Sequence, residues 1–74
     1  MNNLLIKYWV DEEAREEGLS EIYVPTTNTF ADVMYEARRL IDRDGYASVE
    51  VIIPDEENEE VLYFYDGITE EIMF

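Results

Sequence analysis

Histidine and cysteine are both absent from this chain of 74 residues. Without histidine, the commonest general base and the commonest metal ligand are missing. Without cysteine there is no disulfide staple, no thiol nucleophile and no thiolate zinc site. Cations are scarce too: 5 Lys and Arg, with Lys7 the sole lysine, stand against 19 Asp and Glu. The resulting net charge of −14 disfavours direct contact with nucleic-acid phosphates or an anionic lipid surface. Gly18, Gly45 and Gly67 are isolated from one another, so there is no glycine-rich phosphate loop. No run approaches the roughly 18 apolar residues of a membrane span. The opening Met1-Asn2-Asn3-Leu4 lacks the basic start of a secretory signal. These absences predict a soluble, cytoplasmic, non-enzymatic protein with no cofactor, metal or membrane contact.

Acidity of this degree accompanies disorder only when apolar content is low. Here 47% of residues are apolar and 14% aromatic, which predicts a packed core. The length allows one small domain spanning residues 1–74. A chain this short buries only about 60% of its unfolded surface, and repulsion among carboxylates reduces its stability further.

Leu4 to Val10 is a run of strand formers. The acidic stretch from Asp11 to Ser20 reads as a loop ending in a Gly-containing turn. Glu21 to Val24 reads as a second strand, closed by Pro25. The clearest element follows. Phe30, Val33, Met34, Ala37 and Ile41 recur at helical spacing after Thr29, a good N-cap, with Asp32 three residues on. Gly45 supplies the stop. Arg38 with Asp42 and Glu36 with Arg39 are spaced to pair along this helix. Ser48 to Ile53 and Val61 to Tyr65 read as two further strands joined by an acidic loop. The tail from Ile68 to Phe74 is either a fifth edge strand or a docked segment.

The order β-β-α-β-β predicts an α+β domain with one amphipathic helix on one face of a mixed or antiparallel sheet of four to five strands. A β-grasp-like arrangement, with the first and fourth strands parallel neighbours, fits the same order. The expected helix-facing set is Ile6, Val10, Ile22, Val24, Val49, Val51, Ile53, Leu62 and Phe64. The opposite face would then carry Leu5, Lys7, Trp9, Tyr23, Glu50, Ile52, Val61, Tyr63 and Tyr65. That face is unusually apolar for a solvated one, and Trp9, Tyr23, Ile52, Tyr63 and Tyr65 are its candidate partner-binding residues.

The acids fall into clusters. Asp11, Glu12, Glu13, Glu16, Glu17 and Glu21 form one. Asp55, Glu56, Glu57, Glu59 and Glu60 form a second, and Glu70 and Glu71 belong to a third with Asp66. The first and second are expected at opposite ends of the sheet, roughly 20 Å apart at about 3.3 Å per residue. Duplex DNA presents charge over a comparable length. In size and charge the chain is similar to small phage or mobile-element inhibitors that mimic DNA, including some anti-restriction and anti-CRISPR proteins. That resemblance implies a basic nucleic-acid-binding protein as partner, and no nucleic acid bound directly. The alternative expectation is a protein–protein adaptor or homodimer using the aromatic face, its acidity serving solubility.

Dedicated chemistry has little support. Asp42-Arg43-Asp44-Gly45 starts like a calcium loop, but Gly comes at position 4 and Ile53 stands at position 12. No nucleophile or acid–base constellation is present. The chain ends in Ile72-Met73-Phe74 rather than Gly-Gly, which argues against a conjugated ubiquitin-like modifier.

Overall fold

A computed structural model describes residues 4–55 and 57–73. The chain forms β1 (Leu5–Trp9), α1 (Glu12–Glu17), β2 (Glu21–Tyr23), α2 (Phe30–Asp42), β3 (Ser48–Ile53), β4 (Glu60–Tyr65) and β5 (Glu70–Ile72). This is an α+β fold: five strands in the order β2-β1-β3-β4-β5, with α2 as the main helix. Every neighbouring pair of strands is antiparallel.

The β-grasp-like order is therefore corrected. β1 lies between β2 and β3, not beside β4. β2 and β3 run the same way on either side of β1, and α2 crosses over β1 to connect them. The tail resolves as the fifth strand on the β4 edge, with the Met73 amide donating to the Leu62 carbonyl at 2.9 Å.

The acidic stretch read as a loop contains α1. Asp11 caps it, its carboxylate accepting from the Ala14 amide at 2.7 Å. Glu12 and Glu13 stand in the first turn, where negative charge suits the helix dipole. Gly18 ends the helix at φ +72°, and the Leu19 amide donates to the Ala14 carbonyl at 2.8 Å. Only Ala14 of this helix is buried, so it has no apolar stripe to betray it.

α2 buries Val33, Ala37 and Leu40 as its periodicity predicts. Thr29 is the N-cap residue, but its side chain makes no capping bond. Both side-chain pairings expected along α2 are replaced by tertiary ones. Glu36 accepts from the amide and hydroxyl of Thr26. Arg38 turns to Glu70 on β5, 3.4 Å away, and Asp42 accepts from the Tyr65 hydroxyl at 2.8 Å.

The core lies between α2 and one face of the sheet: Ile6, Val33, Ala37, Leu40, Val49, Val51, Tyr63 and Tyr65. Tyr23, Tyr8 and Tyr46 pack against its margin, the last two stacked with ring centroids 4.9 Å apart. So Ile6, Val49 and Val51 face the helix as expected, but β2 and β4 carry the opposite sides inward. Tyr23 stands opposite Ile6, and Tyr63 opposite Val51. Val10 lies beyond the end of β1 and is exposed.

The reason for the reversal is in the hydroxyls. Tyr63 and Tyr65 bury their rings yet reach carboxylates at the rim, Tyr63 donating to Glu70 at 2.5 Å and Tyr65 to Asp42. A polar tip does not make a residue outward-facing when the sheet edge is near. A bulge completes the effect. Val61 and Leu62 together stand opposite Ile52, so strict alternation fails along β4.

Candidate functional site

The uncovered face of the sheet is set by register. Lys7 lies opposite Glu50, and Glu50 opposite Phe64. Leu5 lies opposite Ile52, and Ile22 opposite Lys7. This outer face thus carries Leu5, Lys7, Trp9, Ile22, Glu50, Ile52 and Phe64, with Val61 and Leu62 at the bulge. Of the aromatic-face candidates, Trp9 and Ile52 are here, and Ile52 is its buried floor at 1% exposure. Tyr23, Tyr63 and Tyr65 are on the helix side; Tyr63 is wholly buried. Phe64, Leu62 and Ile22 take their place outside. The signal for Phe64 was the cross-strand alignment with Glu50 and Lys7, which needs the tertiary register to be read.

Two cations lie on this face over its aromatic rings. Lys7 Nζ stands 5.9 Å from the Trp9 ring centroid and pairs with Glu59 at 2.5 Å. The Arg15 guanidinium stands 5.2 Å from the Phe64 centroid, which places α1 at the outer side of the sheet end. Arg15 also approaches Asp66 at 4.0 Å. Glu50 sits half-buried between these groups. Burial raises its carboxyl above the ordinary value of 4.5 and nearby Glu59 adds to the rise, while Lys7 and Arg15 oppose it.

The acidic clusters fall at the two ends of the sheet. β1 delivers the chain to α1 at the end where Trp9 pairs with Ser48. There Glu12, Glu13, Glu16 and Glu17 are exposed, and the Asp66 turn lies close by. Asp66 is held below the ordinary carboxylate value, chiefly by the amides of Thr69 and Ile68 that donate to it. Asp55, Glu57, Glu59 and Glu60 lie at the opposite end, between β3 and β4 and at the start of β4. Glu56 lies outside the described residues. Six-residue β3 separates the ends by about 20 Å, at about 3.3 Å per residue. Glu70 and Glu71 are on edge strand β5, where Glu70 is engaged by Tyr63 and Arg38.

Ion pairing among the described residues leaves most of this charge without a cation within 4.0 Å. The pairs are Lys7–Glu59, Arg15–Asp66, Arg38–Glu70 and Arg43–Asp44. Glu12, Glu13, Glu16, Glu17, Glu57, Glu60 and Glu71 are in none of them. No group of three acidic side chains among the described residues is placed to hold a metal ion. No helix there is long and apolar enough to cross a membrane.

The chain matches no family model, no curated protein and no solved structure.

Proposed function

We propose that this chain is a small acidic binding protein that blocks a basic nucleic-acid-binding protein by occupying the groove built for nucleic acid. Inhibitors of this kind serve phages and mobile elements against restriction or CRISPR nucleases. One observation carries the reading. Two carboxylate clusters, largely without cationic partners, border at ends about 20 Å apart the sheet face opposite α2, where Trp9 and Phe64 are part-exposed beneath Lys7 and Arg15. Glu12, Glu13, Glu16 and Glu17 would meet Lys and Arg at one end, with Asp55, Glu57 and Glu60 at the other. Phe64, opposite Glu50, would anchor the middle and Trp9 the end beside α1, as aromatic residues do in interface cores. Binding driven this way is fast and weakens steeply with salt.

The test is capture of host proteins on the tagged chain at low salt, eluted by a salt step, with and without nuclease treatment. A basic DNA- or RNA-binding protein should be released by salt, and nuclease treatment should increase its capture. Its binding to nucleic acid should then be lost when the chain is added. A captured protein that holds nucleic acid and this chain together would overturn the reading.

The same sheet face favours a second reading, an adaptor or homodimer joined through part-exposed Trp9 and Phe64 and exposed Ile22. That association would hold or strengthen as salt rises, and Trp9→Ala would abolish it. Tyr63 is unsuitable for this test because removing it empties the core.

A further inference from the structure

On the helix side of the sheet, α2 and the β2 edge border a groove of about 260 Å³ lined by Tyr23, Thr26, Glu36, Arg39, Leu40 and Arg43. In a chain of net charge −14, this groove holds two of the five cations. Arg39 and Arg43 are one turn apart on the same helix face, so both guanidinium groups border one space. Arg39 is in no ion pair among the described residues, despite 19 carboxylates in the chain. Its guanidinium stands 6.0 Å from the Tyr35 ring. Glu36, three residues before it, is turned instead to Thr26, which donates to it through both amide and hydroxyl. Arg43 leans on Asp44, at 3.1 Å, through Nε, leaving the terminal nitrogens of its fork. The Tyr23 ring and Leu40 supply an apolar side to the same space.

We propose that this groove binds a small phosphate monoester. The two guanidinium forks would take the phosphate oxygens, and Tyr23 would lie against the body of the ligand. Arginine suits the task because its planar fork matches phosphate geometry with paired hydrogen bonds. The volume excludes a large ligand; it accepts a phosphate with a ring-sized substituent. Two carboxylates stand at the groove and oppose an anion: Glu36 in its lining, which accepts from the amide and hydroxyl of Thr26, and Asp44, which accepts from Arg43 Nε.

The experiment is a backbone and arginine-Nε NMR titration of the full chain with phenyl phosphate and, separately, inorganic phosphate. Ionic strength and pH are held constant with chloride. Saturable shifts are expected at Tyr23, Thr26, Arg39 and Arg43, with phenyl phosphate the tighter ligand. Arg39→Gln should weaken binding about tenfold, as loss of a charge-assisted pair does, and Arg39→Gln with Arg43→Gln should abolish it. Arg39→Lys keeps the charge but loses the fork, and should weaken phenyl phosphate binding as well. These residues are exposed, so folding of the variants is checked by the unchanged amide spectrum outside the groove. Shifts that stay linear in ligand, or saturate equally in the double variant, would overturn the proposal. Binding of inorganic phosphate and phenyl phosphate with equal affinity would remove Tyr23 from it.

Discussion

Replacing Tyr63 by Phe isolates one contact on which the packing of β4 and β5 depends. The ring is fully buried and the substitution keeps it, so no cavity opens. What goes is the hydroxyl that donates to Glu70 at 2.5 Å. A hydrogen bond to a charged acceptor contributes about 1.5–3 kcal/mol. Glu70 is 41% exposed at its side chain and is shared with Arg38, so water and the second partner reduce that figure. A loss of about 1 kcal/mol is expected. In a domain of this size it lowers Tm by about 4–8 °C. Thermal and urea unfolding followed by circular dichroism would measure it. Glu70→Ala alone is uninformative, because it also relieves repulsion in a chain of charge −14. The double-mutant cycle of Tyr63→Phe with Glu70→Ala, which removes the acceptor, cancels that effect and should return a coupling of about 1 kcal/mol. A coupling below about 0.3 kcal/mol would refute the reasoning. The alkaline limb gives a second check. Burial first, then the bond to Glu70, raises the Tyr63 hydroxyl above its ordinary value of 10.0. The native state therefore holds this proton more tightly than the unfolded chain does. Stability from this source is complete below about pH 10 and is lost as pH rises through the higher native value. Tyr63→Phe should make that decline shallower.

Other outcomes follow from the same structure. Glu50 has a carboxyl raised chiefly by burial, so the native state favours its protonated form and stability falls as pH rises above the ordinary 4.5; Glu50→Gln should be more stable than the parent at pH 7 and lose part of that acid-side slope in urea titrations across pH. Gly67 turns the chain at φ +93°, and an added Cβ would stand 3.4 Å from Ile41 Cγ2. Gly67→Ala should cost about 1 kcal/mol or more, read as a lower urea midpoint at unchanged slope. Joint replacement of Glu12, Glu13, Glu16 and Glu17 by Gln should leave the fold intact, since all four are exposed. It should also reduce the gain in Tm that added NaCl produces, because part of the repulsion that salt screens is gone. The same variant should bind the proposed basic partner more weakly; equal affinity would remove α1 from the contact.

How far the sequence could be read depends on which signals were local. The α2 stripe of Phe30, Val33, Met34, Ala37 and Ile41 is a repeat within one element, and the helix forms where that repeat runs. β1, β3 and β4 each contain a run of strand-forming residues, and their alternating directions follow from the connections. α1 was invisible because a six-residue helix that buries only Ala14 leaves no periodic trace. Its signal is in the caps, Asp11 and Gly18, rather than in hydrophobicity.

The candidate site divides along the same line. Acid placement at opposite sheet ends was legible, because it requires only strand lengths and directions. The identity of the aromatic face was not. Alternation along β4 assigns Leu62 and Phe64 to one side and Tyr63 and Tyr65 to the other, but not which side meets the helix. Transfer preference puts Leu and Phe inside; the structure puts the tyrosines there because Glu70 and Asp42 await their hydroxyls at the rim. Those acceptors are 7 and 23 residues away in sequence. The bulge opposite Ile52 then lets Val61 depart from the alternation set by Tyr63. By itself, then, the amino-acid sequence determined an α+β chain with one main helix, its strands and its charge distribution, because these are properties of local pattern and composition. Strand order, the inward face of β2 and β4, and the pairing of each cation were decided only by the tertiary structure, because each depends on which distant groups meet.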